Sequence, residues 1–304
     1  MTIRADRPAL ELRRVTAAGL SDVDLAWHAG ESLALVIDAD PAPILDLLVG
    51  LREQRSGSIA LAGTICSARE RRGRLRVLPE DASAMLDDRS LISDLVAQSL
   101  PAHDDAAVER VLDRVGLARA HGERRASTLT EPERTRAALA CVLVGEPDCV
   151  VLAEPFARLA AADRWSLLGA VGREHRERGC GLLLLTRSPA LAWALADRVA
   201  VLVNGHCVEL GPTASVLLAP AHPATRDLVR AAGASERAPE PPAAWPPTAP
   251  PAGAGCVYAT RCDRAREHCS AERPSLGPAG SALQQAACWY PIELNTQAQV
   301  ELEY

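Results

Sequence analysis

Between residues 10 and 63, apolar and polar positions alternate between turn signals, as in Ser32–Ile37 and Ser58–Leu61, a pattern that predicts short strands. From about Leu91 to Val144 the period changes to that of a helix, with Val108, Val111, Leu112 and Val115 on one face. Two continuous apolar runs follow, Cys149–Leu152 after Pro147-Asp148 and Leu182–Leu185 after Gly179-Cys180-Gly181, and both read as buried strands. Arg158 to Arg178 between them reads as a helix, so the order strand–helix–strand predicts a parallel sheet with a crossover. Val199–Val203 and Cys207–Leu210 flank Asn204-Gly205, a hairpin signal.

Composition changes this picture at the C-terminal side. From Ala231 to Gly255 the chain is rich in Pro and Ala, including Pro241-Pro242, Pro246-Pro247 and Pro250-Pro251, which predicts a semi-extended linker. Beyond it lies a small segment with Cys256, Cys262, Cys269 and Cys288. The net charge of -6 gives no reason to expect nucleic acid as a partner. No apolar run reaches the roughly 20 residues that span a bilayer. The first residues, from Met1 to Arg14, are charged and carry no apolar core of a secretory signal. A cytosolic protein that meets the membrane only through partners is expected. All 33 residues of the Lys+Arg count are arginine. Any chemistry that needs a lysine is therefore excluded.

Several segments together resemble one family. Asp197-Arg198-Val199-Ala200-Val201, Gly205, Val208-Glu209, Gly211-Pro212-Thr213 and His222-Pro223-Ala224-Thr225-Arg226 are similar to the end of the ATPase domain in oligopeptide and dipeptide ABC importers. Gly255-Cys256, Arg261-Cys262, Cys269, Pro274-Ser275-Leu276 and Cys288 resemble that family's C-terminal extension. Leu129 to Pro155, with Glu146-Pro147 and Glu154-Pro155, keeps the spacing of its signature helix and second nucleotide motif. The resemblance implies an α/β, ABC-type P-loop ATPase fold: a mixed sheet core, an antiparallel β subdomain and a helical subdomain. It implies an ATPase-like domain over 1–230 with helices at about 85–145, the linker at 231–255, and a cysteine extension over 256–304.

The same resemblance shows what is missing. A phosphate-binding loop needs glycines for its curl, backbone N–H donors and a lysine. Here the loop after Leu33–Val36 reads Ile37-Asp38-Ala39-Asp40-Pro41-Ala42-Pro43-Ile44, before a helix ending near Gly50-Leu51. Asp38 and Asp40 bring negative charge, and Pro41 and Pro43 have no N–H to give. In the second motif, Leu152-Ala153-Glu154-Pro155, Ala153 stands at the Mg²⁺ aspartate and Glu154 is left as a vestige. Glu80 falls near the loop glutamine, Ala160 at the interface aspartate, and Arg187 at the switch histidine. The signature serine and glycines are replaced in Leu129-Thr130-Glu131-Pro132-Glu133. Thr130 and Glu133 form a capping box with Pro132 in the first turn, so the helix is retained while Glu131 and Glu133 would repel a partner's phosphate. These replacements imply that Mg²⁺-ATP does not bind here and that the chain has no ATPase activity of its own.

Cysteine chemistry is a separate matter. Disulfides are disfavoured in a cytosolic chain, and the spacing of Cys256, Cys262, Cys269 and Cys288 lacks paired zinc knuckles. The resemblance implies a 4Fe–4S cluster on these four thiolates, with zinc or unliganded thiols as alternatives. Cys66, Cys141, Cys149, Cys180 and Cys207 read as small core residues. The functional expectation is a non-catalytic subunit paired with a competent ABC ATPase beneath two transmembrane permease subunits, served indirectly by a solute-binding protein. Met85-Leu86-Asp87-Asp88-Arg89-Ser90-Leu91-Ile92 resembles the family's membrane-facing stretch and also reads as an ordinary loop entering a helix. The alternative is a soluble metal- or iron–sulfur-binding regulator derived from such a subunit.

Overall fold

The computed structural model describes residues 8–17, 19–71, 75–145, 147, 149–235 and 254–293. Strands β1 (Pro8–Ala17), β2 (Leu20–His28) and β3 (Ser32–Ile37) lead to α1 (Ala42–Leu48), then β4 (Ser56–Leu61), β5 (Thr64–Ile65), α2 (Ala68–Arg71) and β6 (Leu75–Leu78). Four helices come next: α3 (Ile92–Ala97), α4 (Asp105–Arg114), α5 (Arg119–Gly122) and α6 (Glu131–Leu143). The chain then alternates β7 (Cys149–Ala153), α7 (Ala161–Arg178), β8 (Gly181–Thr186) and α8 (Pro189–Leu195) before β9 (Arg198–Val203) and β10 (His206–Pro212). It closes with α9 (Thr213–Leu218), α10 (Pro223–Ser235), α11 (Glu267–Ala271), β11 (Gly277–Pro278) and β12 (Gln285–Ala286).

Two sheets result. One is four-stranded and antiparallel in the order β2-β1-β4-β5; the other runs β11-β12-β10-β9-β3-β8-β7-β6. Its strands from β9 to β6 are mutually parallel, whereas β10 and β12 add antiparallel edges. This is the mixed core, antiparallel subdomain and helical subdomain expected from the sequence.

Strand period decides which core each side chain enters. Leu33, Leu35 and Ile37 of β3, with Leu183 and Leu185 of β8, face the four-stranded sheet and pack with Leu10, Leu12, Trp27, Ile44 and Leu47. Ala34, Val36, Leu182 and Leu184 face the other way, onto Leu139, Val142 and Leu168. Because both faces of the parallel strands are covered, their sequences read as unbroken apolar runs.

Local differences have local causes. The helix expected from Arg158 begins at Ala161, because Glu154 (φ 43°) and Phe156 (φ 63°) bend the chain through a turn first. The long helical stretch is four separate helices, cut at turns such as Gly116 (φ 80°). Asn204 (φ 49°) and Gly205 (φ 79°) supply the two left-handed residues of a tight hairpin, as their dipeptide predicts. Helix α10 carries the chain to Ser235, past the expected linker start at Ala231. Residues 236–253 and 294–304 lie outside the described residues, and with them most of the linker and the end of the extension. Among the described residues, no helix is long and apolar enough to cross a membrane.

Candidate functional site

The loop between β3 and α1 is tied down by its own carboxylates. Asp38 accepts the Asn204 backbone N–H at 3.1 and 3.0 Å, tying the loop to the β9–β10 hairpin. Asp40 accepts the Ala42 N–H at 2.9 Å, so a carboxylate of the chain itself occupies the start of α1. Pro41 is the N-cap and Pro43 lies in the first turn, which leaves that turn short of donors. The cavity here, about 200 Å³, is lined by Gly19, Ile37, Asp38, Ala39, Asp40, Ile44, Leu202, Asn204 and Gly205. An anion entering it meets two carboxylates and no cationic side chain in the lining.

Glu154 stands at the end of β7, where its left-handed backbone (φ 43°) is sparsely populated for a residue with a Cβ. Its side chain is buried, and every acceptor oxygen is engaged. Oε2 takes the Thr186 hydroxyl at 3.0 Å, while Oε1 takes the Arg187 N–H at 2.7 Å and its Nε at 2.9 Å. Arg187 is drawn upward in pKa first by this bond, with Glu80 and Asp40 adding to the pull. The two arginine contacts come from one residue just past the end of the next parallel strand, since Ala153 and Leu185 are register partners. Nothing in the local sequence announced this closed triad. Only the pairing of β7 with β8 sets Arg187 against Glu154.

Other sequence-predicted residues fall as follows. Thr130 and Glu133 make the expected box: the Glu133 carboxylate accepts the Thr130 N–H at 2.8 Å and its hydroxyl at 2.9 Å. These Thr130 bonds hold the Glu133 pKa low, and His121 at 3.2 Å and Arg124 at 3.6 Å add to them, so its charge is largely answered within the subunit. Glu131 is exposed. The repulsion expected at this helix end therefore rests mainly on Glu131. In the loop from Met85 to Ile92, Leu86 is buried and Met85 is 41% exposed. Arg134 of α6 holds that loop through Asp88 at 2.7 Å and the Ser83 carbonyl at 3.2 Å. Arg158 reaches Asp81 at 3.0 Å. Neither arginine was singled out in the sequence, where nothing distinguishes them from the other arginines.

The four C-terminal cysteines converge. Cys256, Cys262, Cys269 and Cys288 all line one small cavity, together with His222, Pro223 and Tyr290. Gly255 permits this: a Cβ there would lie 2.5 Å from the Ser270 carbonyl, and the close approach lets the Cys256 N–H donate to Cys269 O at 2.8 Å. Burial pushes the thiols of Cys256 and Cys262 up and that of Cys288 to about 11. Among the described residues no three His, Cys, Asp or Glu side chains converge on one point as a single ion requires. A lone zinc draws its thiolates to about 2.3 Å from one centre. A four-iron cluster instead places each thiolate on a separate iron and needs a wider cage. Four thiols around one cavity match in number the ligand set of such a cluster. The other five cysteines sit apart from it, with Cys66, Cys149 and Cys180 buried in the cores as expected.

The extension is anchored to the hairpin. β12 pairs with β10, Glu209 opposite Ala286 and Leu210 opposite Gln285. Glu209 is fully buried and accepts the Ala221 N–H at 2.8 Å, the His222 N–H at 3.0 Å and Gln284 Nε2 at 2.6 Å.

Residues 43–157 match the family model described as ABC transporter, and residues 208–269 match that for the oligopeptide/dipeptide transporter, C-terminal region. The chain is similar over most of its length to ATP-binding subunits of oligopeptide/dipeptide ABC transporters. As one such relative, it is 24% identical to the oligopeptide transport ATP-binding protein OppF of Bacillus subtilis, over 72% of this chain and 77% of that one. It is 26% identical to the protein of the same name in Salmonella typhimurium, over 90% and 88%. A putative peptide import ATP-binding protein of Brucella melitensis is 28% identical over 91% and 93%. Among solved structures, cbiO1 of Clostridium perfringens, part of the ABC transporter complex cbiONQ, superposes with a TM-score of 0.63 at 17% identity, covering 77% of this chain and 97% of that chain. The fold is that of an ABC ATPase.

Proposed function

We propose that this ATP-binding-subunit relative is the non-catalytic half of a heterodimeric ATPase in a peptide importer. The observation that carries the reading is the closed Glu154–Thr186–Arg187 arrangement. A glutamate that polarises water needs a free oxygen aimed at a metal-bound nucleotide. Here both oxygens serve the fold, and Ala153 supplies no metal ligand. The partner is a competent ABC ATPase, the pair docks beneath two transmembrane permeases at the inner face of the membrane, and a solute-binding protein delivers cargo from outside. The Met85–Ile92 loop, braced by Arg134, is the part of this subunit that would meet a permease. The alternative of a soluble regulator has no observation in its favour. Co-expressed with its ATPase partner and permeases, the chain should assemble into a membrane complex. Substituting the partner's phosphate-loop lysine should abolish transport, whereas Glu154→Gln should leave transport within about twofold. Loss of transport in both variants alike would refute the reading.

Cys256, Cys262, Cys269 and Cys288 are proposed as the ligands of a 4Fe–4S cluster. When bound, such a group supplies one-electron redox chemistry and a rigid cross-link. The chain's own contribution is to present four thiols, two buried and two half-buried, that release their protons as metal binds. Anaerobically prepared protein should be brown and hold about four iron and four sulfide per chain. Cys262→Ser should bleach it. Stoichiometric zinc without iron would exclude the cluster.

A further inference from the structure

Besides the four thiols, the cavity of the extension is lined by one buried imidazole, His222. Its Nδ1 accepts the Ala224 N–H at 3.0 Å, which leaves the ring proton on Nε2. Nε2 has no hydrogen-bond partner, although the residue is only 1% exposed. A buried N–H without an acceptor is costly and calls for an explanation. Turning the ring to find one would break the Ala224 bond. Its own backbone N–H is held by Glu209 at 3.0 Å, and Pro223 follows it. Its neighbours are the cysteine loops: the Tyr258 ring, between Cys256 and Cys262, stands edge-on at 6.1 Å, and the backbone of Ala287, beside Cys288, faces the Nε2–H outside hydrogen-bond geometry. His222 is therefore a buried donor lining the same cavity as the four sulfur atoms, on the wall that belongs to the ATPase-like domain and not to the extension.

We propose that His222 Nε2–H donates a hydrogen bond to a sulfur of the group held by the four cysteines, as a positioning and tuning residue. The inference rests on the iron–sulfur reading above. Sulfur in such a group carries negative charge, and an N–H directed at it favours the reduced, more negative form. The same contact ties the extension's cofactor to the hairpin through Glu209, so that the ring reports on the junction of the two parts.

The full-length protein, prepared anaerobically, is compared with His222→Phe, which removes the donor, and His222→Gln, which keeps an N–H at the Nε2 position. Midpoint potentials follow from redox titration monitored by electron paramagnetic resonance. The Phe variant should stabilise the reduced form about tenfold less, a fall of about 59 mV for one electron, with Gln close to wild type. In wild-type protein carrying isotopically labelled histidine, pulsed resonance of the reduced state should show a weak coupling to one imidazole nitrogen. An iron-loaded Phe variant with an unchanged potential overturns the inference. If that variant fails to fold or to load iron, the wild-type coupling decides: its absence overturns the inference, and so does a strong coupling indicating direct ligation. Wild-type protein that holds zinc or no iron fails the cluster reading itself, a result separable from an iron-loaded protein whose potential ignores His222.

Discussion

Calorimetric titration of the isolated protein with Mg²⁺-ATP should detect no binding in the micromolar range. Hydrogen bonds to a charged group are worth about 1.5–3 kcal/mol each, so losing three costs on the order of 5 kcal/mol. At about 1.4 kcal/mol per tenfold, affinity falls by roughly a thousandfold or more. The geometry makes the loss deeper than missing side chains alone. Asp40 already occupies the Ala42 N–H, and Asp38 is committed to Asn204, so the donors that remain around the loop serve the chain's own carboxylates. Replacing residues 38–43 with a glycine-rich, lysine-bearing loop should recover some nucleotide affinity without turnover, because Ala153 still offers no metal ligand and Arg187 still holds Glu154. Micromolar ATP affinity in the unaltered protein would overturn this account of the site.

Substituting Glu209 should damage the fold more than any change in the loop. Its carboxylate is fully buried and is the shared acceptor of two backbone N–H groups and the Gln284 amide. Glu209→Ala leaves two buried backbone donors without an acceptor, at about 1–3 kcal/mol each, and the Gln284 amide with only its Ala219 carbonyl partner at 3.0 Å. Burial pushes the Glu209 pKa up, which means that the buried charge itself costs stability and offsets part of that sum. A net loss of about 3 kcal/mol or more is expected by urea unfolding, a large share of the 5–15 kcal/mol typical of a domain. Glu209→Gln keeps one acceptor and should lose about half as much. Hydrogen exchange should rise first at Ala221, His222 and the β12 residues Gln285 and Ala286. An Ala variant within about 1 kcal/mol of wild type would show that the extension is anchored by its strand pairing and apolar packing instead.

Much of the molecule was legible in the chain. Unbroken apolar runs marked β7 and β8 as strands covered on both faces, and Asn204-Gly205 marked the hairpin, because these patterns state a physical requirement of one segment. The capping box at Thr130 and Glu133 was legible for the same reason: its partners lie three residues apart. Absences were equally plain, since a chain without lysine and a loop without glycine cannot recover those groups by folding.

Tertiary structure decided what depends on partners distant in sequence. The Arg187 hold on Glu154 spans 33 residues and exists only because β7 and β8 run parallel in one register. The pairing of β12 with β10, braced by the Glu209 bond to Gln284 75 residues away, made the extension an edge of the central sheet where the sequence suggested a tethered appendage. Cysteine spacing alone left cluster, zinc and free thiols open. Folding placed the four thiols around one cavity and added His222, whose sequence context suggested only part of a family motif. Local sequence determines periodicity, caps and turns, because those energies come from neighbours within a few residues. Charge pairing and the walls of a cavity are set by which strand lies beside which, and that follows from the packing of the whole chain.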